Sequence, residues 1–190
     1  VPIRKRGTVV RARPVRLTLA RHRNVLTGPG QLGPWETACA EQGLGSRTDI
    51  AAVGRAPTED DVAALLEIEP GTEAIRRLQH MYFGDHLAQL QETWIPLTIA
   101  EGTVLAAAEK ITGGIYRALL QLGHQPSTAH ETVQARMPQP HEAAVLQLNV
   151  GTPVLAIERI TRDAAGSVLT LVRAIATGDR VQLSYDQELG

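Results

Sequence analysis

The sequence predicts an α+β domain in which helices pack against a mainly antiparallel sheet. The segment 63–79, AALLEIEPGTEAIRRLQ, is nearly repeated at 143–159 as AAVLQLNVGTPVLAIER. Each copy is a short apolar helix pattern, a Gly-Thr pair and an apolar strand pattern. The other strand patterns come mostly in pairs joined by short turns, which favours hairpins over βαβ crossovers. Two copies are too few for a solenoid, so we predict one pseudo-symmetric domain with two helix–turn–strand units sharing a sheet.

The composition is that of one well-buried globular domain. Of the 190 residues, 43% are hydrophobic, 21% are charged and 3% are aromatic, so we expect a largely aliphatic core. The net charge of -1 gives no whole-chain attraction to nucleic acid or membranes. No apolar run approaches the roughly 20 residues that a membrane-spanning helix needs. The single cysteine, Cys39, cannot form an internal disulfide, and its alanine-rich surroundings favour a small buried residue over a reactive thiol. We expect a cytoplasmic protein.

Caps and turn residues define the elements of the first half. Pro34 lies near the start of one helix pattern and Gly43 ends it. Thr58 is the predicted N-cap of the next helix, where Asp61 would also suit the helix dipole. Gly84 and Asp85 separate two alternating arms, which predicts a β-hairpin. In order, the predicted elements are helix 33–43, strand 46–57, helix 58–69 and hairpin strands 73–83 and 86–96.

The second half repeats this organisation. The alanine-rich segment 98–110 is predicted to be helical at its end. Gly113 and Gly114 lead into a helix, and a later extended segment is broken by Pro138 and Pro140. The predicted elements are helix 112–123, extended segment 127–138, helix 141–148 and strands 154–161, 168–176 and 181–185. The prediction for the whole chain is six or seven strands with four or five short helices.

The first part of the chain is strongly basic. Between Arg4 and Arg23 there are many Arg and Lys residues and no Asp or Glu. One interpretation is a solvated basic linker. The other is a strand that leaves a DNA-binding module, with the cations Arg4, Lys5 and Arg6 on phosphates. The sequence begins with Val, which suggests that it opens partway into a longer protein.

No catalytic or metal-binding pattern stands out. The six histidines form no HExxH motif and no His/Cys grouping suited to zinc, and neither a GxSxG motif nor a P-loop is present. We therefore expect no catalytic residues, no metal and no cofactor. Gly113 and Gly114 place bare backbone at a helix N-terminus, where free N–H groups can hold an anion or a polar ligand head. A tight helix start explains the two glycines equally well.

Several spaced motifs resemble the UTRA effector domain, which is found in the HutC subfamily of GntR-type bacterial transcription regulators. The segments ETWIP and GGIYRALLQLG are similar to a strand end and a helix start of that family. The closing segment GTPVLAIERITRDAAGSVLTLVRAIATGDRV is similar at Gly151, Pro153, Val154, Leu155, Arg159, Asp163, Gly166, Gly178, Asp179 and Arg180. The resemblance covers about residues 30–187.

The resemblance implies a chorismate lyase-like fold, with a small-molecule pocket on one face of the sheet flanked by the two repeats. Residues 1–16 would be the end of an N-terminal winged-helix DNA-binding domain, 17–29 a linker, and 30–190 the effector-binding and dimerisation domain. The implied function is that of a homodimeric repressor that responds to a small molecule and binds operator DNA through its N-terminal domain. The alternative is a small enzyme of the chorismate lyase kind. The pocket positions contain no convincing set of acid, base or nucleophile residues, which argues against this alternative.

The resemblance also locates the pocket, whose lining departs from that of phosphosugar-binding members. The family's two pocket arginines fall on Gln79 and Met81, its helix-start serine falls on Gly114, and only its tyrosine is kept, as Tyr116. Arg77 shares alternation parity with Gln79 and either faces the pocket or is turned to solvent by a twist. A buried anion without cationic partners is unfavourable, so we expect a mostly uncharged metabolite with at most one anionic group. The candidate ligand-binding residues are Arg77, Gln79, Met81, Gln91, Thr93, Gly113, Gly114, Tyr116, Thr170, Val172, Ala174 and Ala176.

Overall fold

A six-stranded antiparallel sheet forms the framework of the structure, a computed structural model that describes residues 15–21 and 32–185. The predicted α+β class with a mainly antiparallel sheet is confirmed. The elements are β1 Leu17–Arg21, α1 Pro34–Glu41, β2 Ser46–Pro57, α2 Asp60–Leu66, β3 Glu73–Phe83, β4 His86–Pro96, α3 Leu97–Ala100, α4 Gly114–Gln121, β5 Thr128–Arg136, α5 Pro140–Val145, β6 Val154–Arg162, β7 Val168–Thr177 and β8 Val181–Tyr185. The strand order of the sheet is β2-β3-β4-β7-β6-β5, and a separate parallel pair joins β1 to β8.

The internal repeat extends well beyond the two similar segments. The run α1-β2-α2-β3-β4 is followed by α4-β5-α5-β6-β7, and the two halves meet at the β4–β7 pair in the middle of the sheet. Glu67 and Gln147, which match each other in the two copies, have positive φ angles of 58° and 51°. Gly71 and Gly151, which also match, have φ angles of 79° and 85°. The backbone therefore repeats at the residues that turn each helix into its strand, as the pseudo-symmetric interpretation predicts.

The helix starts are explained by local sequence, with one correction. Gly33 is the N-cap of α1, followed by Pro34, and Glu36 accepts a hydrogen bond from the Gly33 amide at 2.9 Å. Thr58, predicted as the N-cap of α2, does not cap it, because its hydroxyl donates to the carbonyl of Thr72 at 3.0 Å. The hydroxyl thus closes the loop between α2 and β3 instead of satisfying a helix amide.

The alanine-rich segment 98–110 differs from its prediction. The helix lies at its beginning, as α3, and turns and bends follow over 101–110. The carbonyls of Leu105, Ala107 and Glu109 accept hydrogen bonds from the side chain of Arg77 and not from helical amides. A tertiary contact therefore overrides the helix propensity of alanine here.

Residues 17–21, the first residues of the predicted linker 17–29, form the strand β1. This strand pairs with β8, from Leu17 opposite Val181 to Arg21 opposite Tyr185. The side chain of Gln42 also binds the backbone of β1. It accepts a hydrogen bond from the Thr18 amide at 2.9 Å and donates one to the Thr18 carbonyl at 2.8 Å. The remaining predictions for this part of the chain, including Arg4, Lys5 and Arg6 on DNA, lie outside the described residues.

The core is divided between the two faces of the sheet. On one face, Val62 and Leu66 of α2 pack with Trp94 and Leu171. Another cluster places Cys39 of α1 among residues that include Leu17, Leu19, Trp35 and Phe83. Burial is the main cause that raises the pKa of Cys39 to about 11, so the thiol behaves as a small hydrophobic group, as predicted. The core is less purely aliphatic than expected, since both tryptophans are buried in it.

Among the residues that the structure describes, no helix is both long and apolar enough to cross a membrane. Within the same residues, no group of His, Cys, Asp and Glu side chains is arranged to hold a metal ion.

The left-handed backbone at Gln147 gives a direct test of the turn geometry. Gln147 is exposed with φ at 51°, a region that disfavours any residue with a Cβ atom. We expect Gln147→Gly to raise the free energy of unfolding by about 0.5–1 kcal/mol in urea titrations, net of the entropy that glycine adds to the unfolded chain. The matched control Gln121→Gly, at the exposed last residue of α4, should lower that free energy, by up to about 1 kcal/mol. Equal destabilisation by both changes would contradict the assigned turn.

Candidate ligand cavity

A cavity of about 190 Å³ lies between the sheet and the elements that cover one of its faces. Strands β3, β4, β7 and β6 supply its floor. Helices α1 and α4, strand β1 and residues 110–111 supply its roof. The two helix starts meet above the cavity, where a Cβ atom on Gly33 would lie 3.5 Å from the Cα of Gly114. Both repeats therefore contribute to one shared space, as the sequence predicted for the pocket.

Most of the predicted ligand-binding residues line this cavity: Arg77, Gln79, Met81, Gln91, Gly114, Tyr116, Thr170, Val172 and Ala174. Three do not. Thr93 is fully buried beside Arg77 in the sheet and accepts from the Gln91 amide at 3.4 Å. Gly113 has a φ of 79°, and a Cβ atom there would lie 2.3 Å from the Cδ of Arg117, which supports a tight helix start. Ala176 is buried in the core cluster that contains Cys39.

The strand register places the floor amides and most of the apolar floor residues on different strands. Across the sheet, Gln79 of β3 lies opposite Gln91 of β4, which lies opposite Ala174 of β7. Ala174 in turn lies opposite Ile157 of β6. Strands β7 and β6 also contribute Thr170 and Arg159 to the lining, so hydrogen-bonding groups occur on both sides of the floor.

The amides that β3 and β4 place at the cavity form a hydrogen-bonded chain. Gln89 donates to Gln91 at 3.1 Å, and Gln91 donates to Gln79 at 3.3 Å. Gln89 also places its amide nitrogen 3.2 Å from the sulfur of Met81. The chain therefore begins at the carbonyl oxygen of Gln89, which is buried and has no donor. The hydroxyl of Thr170 and the Nε of Arg77 are two further buried atoms without a partner that belong to cavity-lining residues.

The side chain of Arg77 lies inside the protein. Of the two orientations that strand alternation left open, toward the pocket or toward solvent, the solvent-facing one is therefore excluded. Its side chain is 1% exposed, and its guanidinium donates to the carbonyls of Leu105 at 2.9 Å, Ala107 at 2.6 Å and Glu109 at 2.9 Å. Burial lowers the pKa of Arg77 below its ordinary value, and the negative charge of Glu109 partly opposes this. The guanidinium therefore holds the segment that leads to Lys110 and Ile111 in the roof.

Two ion pairs in the cavity wall were not among the predicted site residues. Arg159 donates to Glu131 at 2.7 Å, and Tyr185 donates to the other oxygen of Glu131 at 2.8 Å. Burial alone would lower the pKa of Arg159, but Tyr116 and Glu131 beside it raise that pKa above its ordinary value. In the roof, Lys110 pairs with Glu36. Sequence reasoning could have found Arg159, because it lies opposite the predicted Val172 in the strand register. Lys110 and Glu36 belong to roof segments that are not strands, so the alternation of side chains could not locate them.

The lining therefore carries more charged groups than the candidate ligand-binding residues, of which only Arg77 is charged. Among the described residues, three cations and two carboxylates line it, which gives these groups a formal charge of +1 if all five are ionised. Lys110 and Arg159 are already paired with carboxylates, and Arg77 is held by carbonyls. Tyr116 lies with its hydroxyl 3.0 Å from that of Thr161. The arrangement provides shape, hydrogen bonds and a weakly positive field, with each charged group already stabilised by the protein.

Comparison with known proteins assigns the fold to one family of domains. The UTRA domain family matches residues 41–182. An uncharacterized HTH-type transcriptional regulator of Streptomyces coelicolor is 35% identical over 74 residues, which are 39% of this chain and 28% of the relative. The crystal structure of PhnF from Mycobacterium smegmatis superimposes with a TM-score of 0.77 at 18% identity, covering 92% of this chain and 73% of PhnF. The C-terminal domain of the histidine utilization repressor from Pseudomonas syringae pv. tomato gives 0.66 at 19% identity, covering 76% and 99%.

The contacts of Arg77 predict a large and specific effect on stability. Arg77→Met would leave three carbonyls without their donor, so we expect the free energy of unfolding in urea to fall by roughly 3 kcal/mol or more. Arg77→Lys should recover part of this loss, since an ammonium group keeps the charge but not the planar fork. The neighbouring Arg76→Met is the control, because Arg76 is largely exposed and pairs with Glu92, and its loss should be below about 1 kcal/mol. Equal effects at positions 76 and 77 would contradict the structural role of Arg77.

Proposed function

The chain belongs to the UTRA domain family, and on that premise we propose that it is the effector-binding domain of a ligand-responsive bacterial transcription regulator of the GntR type, HutC subfamily. The observation that carries this proposal is the cavity shared by the two repeats, whose lining combines apolar side chains with the amides of Gln79 and Gln91 and the hydroxyl-bearing Tyr116. A cavity with mostly apolar walls and a few converging polar groups is typical of a small-molecule binding site. The relatives named above are transcription regulators, which supports the same function.

The alternative of a small enzyme receives less support from the cavity. A general acid or base needs a titratable group free to exchange a proton with a substrate. Both carboxylates of the lining are engaged, Glu36 with Lys110 and Glu131 with Arg159 and Tyr185. Such pairing favours structural carboxylates over a catalytic dyad, so ligand binding without chemistry is the better account.

The position of β1 suggests how a bound ligand would act on DNA binding. Leu19 and Ala20 of β1 border the cavity, and β1 directly follows the segment 1–16 that the sequence assigns to a DNA-binding domain. Strand β8, the partner of β1, ends at Tyr185, which is linked through Glu131 to Arg159 in the cavity wall. A ligand that binds more tightly to one arrangement of β1 and β8 would shift the protein toward it. We further propose that the protein is a cytoplasmic homodimeric repressor and that its effector releases it from the operator. Arg4, Lys5 and Arg6 would then contact DNA phosphates.

Fluorescence anisotropy with labelled operator DNA tests this proposal. We expect the natural full-length protein to bind its operator tightly and, by light scattering, to be a dimer, because regulators of this kind contact paired half-sites. The chain of 190 residues alone should bind DNA weakly, without sequence preference and less at higher salt. Tight operator binding by this chain alone at physiological salt, or a full-length protein that is monomeric and does not bind DNA, would contradict the proposal.

A further inference from the structure

The two outer strands of the sheet, β2 and β5, present different edges to solvent. Strand β2 carries three charged residues, Arg47, Asp49 and Arg55. Its register with β3 shifts after Ile50, and the strand ends at Pro57. Charges, irregular register and proline are the features that keep a free sheet edge from pairing with another chain. The β2 edge is therefore protected against association.

Strand β5 is an open edge. Its sequence, TAHETVQAR, contains neither lysine nor proline, and its nine residues keep one continuous register with β6. Its two charged side chains are engaged within the fold, since Glu131 pairs with Arg159 of β6 and Arg136 pairs with Glu142 of α5. In the part of the chain that the structure describes, β5 pairs only with β6, and seven of its nine residues are exposed. At about 3.4 Å per residue, this edge is about 30 Å long.

Exposed apolar side chains lie beside the β5 edge. Val133 is 37% exposed and borders an open groove that Leu155 of β6 and Tyr185 of β8 also line. Met137, which directly follows β5, is 58% exposed. A stable interface needs apolar contact area as well as hydrogen bonds. The edge offers backbone groups for pairing, and these neighbours offer the apolar area.

A second copy of β5 is a self-complementary partner for this edge. Residues that lie opposite each other in an antiparallel pair point to the same face, so a two-fold axis perpendicular to the sheet passes where one residue faces its own copy. With Thr132, the middle residue, on that axis, all nine residues of β5 are paired. The pairs are Thr128 with Arg136, Ala129 with Ala135, His130 with Gln134, Glu131 with Val133, and Thr132 with its copy.

This register is favoured by its side-chain contacts. It opposes no two like charges, and it places a threonine pair, a favourable cross-strand contact, on the axis. Moving the axis by one residue to Glu131 would set two carboxylates opposite each other and would leave residues at the end of the strand without partners.

From these observations we propose that two copies of the chain associate through β5, antiparallel and centred on Thr132, so that one sheet runs through both. The inference rests on the proposed function, which includes a homodimer, and it names the surface that forms the dimer. Because the β2 edge is protected, association through β5 ends at two copies and does not continue into a fibre. Glu131 of β5 also lines the cavity, so the interface adjoins the cavity wall of each copy.

Opposite charges at Thr132 test this interface in the chain of 190 residues, measured by sedimentation equilibrium. We expect the chain to dimerise at micromolar concentration. Thr132→Lys and Thr132→Glu should each weaken the dimer about tenfold, because each opposes two like charges in place of the threonine pair. An equimolar mixture of the two variants should recover the lost affinity, because the charges on the axis are then opposite; recovery also shows that both variants fold. Ala52→Lys, at an exposed position of the β2 edge, is the control and should leave the dimer unchanged.

Hydrogen exchange reports on the β5 edge itself. The backbone amides of β5 should exchange more slowly as the concentration of the chain rises, since pairing with a second copy protects them. At the same concentrations the Thr132→Lys variant should show less of this protection. Amides of β2 should exchange at rates that do not depend on concentration.

Several results would overturn the assigned interface. They are a chain that stays monomeric at high micromolar concentration, assemblies that grow beyond two copies, a dimer that neither Thr132 variant weakens, and a mixture no tighter than each variant alone. If the full-length protein still binds its operator as a dimer in any of these cases, only the interface is wrong and the proposed function stands. If this chain dimerises through β5 but the full-length protein prefers no DNA sequence, the interface stands and the proposed function fails.

Discussion

The buried guanidinium of Arg77 is the interaction on which the cavity depends. It binds three carbonyls of the segment between α3 and α4, and so it fixes a stretch of chain that forms no helix of its own. That segment continues into Lys110 and Ile111 of the roof and then into α4, which carries Tyr116. Burying an arginine away from water is unfavourable unless its donors are satisfied, and here the backbone satisfies most of them. The Nε that remains without a partner belongs to a residue that lines the cavity.

The repeat supplies a symmetric framework, and the side chains make it asymmetric. At matching positions of the two copies, Arg77 corresponds to Ile157 and Gln79 corresponds to Arg159. Two similar backbones thus place a buried cation and an amide on one side of the floor, and an apolar group and an ion pair on the other. A symmetric lining would favour a symmetric ligand, whereas this one distinguishes the two flanks of a small molecule. Such a difference between the halves lets a single cavity hold its ligand in one orientation.

The strands were predictable because their signals are local. The hairpin of β3 and β4 has the bounds that alternation and the Gly84-Asp85 turn predict, and the turns after α2 and α5 repeat with the sequence. The failures share a different cause. Arg77 holds segment 98–110 out of a helix, and the Thr58 hydroxyl donates to the carbonyl of Thr72, so both depend on a residue distant in the chain. Residues 17–21 likewise form a strand only through distant partners, β8 and Gln42. The candidate site shows the same contrast. The alternation of side chains along the strands located the floor residues, whereas the ion pair of Lys110 with Glu36 depends on how the roof folds over the floor.

Hydrogen exchange of the backbone amides in 101–113 tests the role of Arg77 most directly, with this chain compared against its Arg77→Met and Arg76→Met variants under native conditions. If Arg77 holds the roof segment, Arg77→Met will accelerate exchange in 101–113 by tenfold or more, on the order of a loss of 1.4 kcal/mol or greater. The amides of β6 and β7 will exchange faster only by what the fall in the global free energy of unfolding allows, and they will stay better protected than the segment. Arg76→Met should leave the segment unchanged. Exchange in 101–113 that is the same in all three proteins would contradict the account, because the roof would then be held by other contacts.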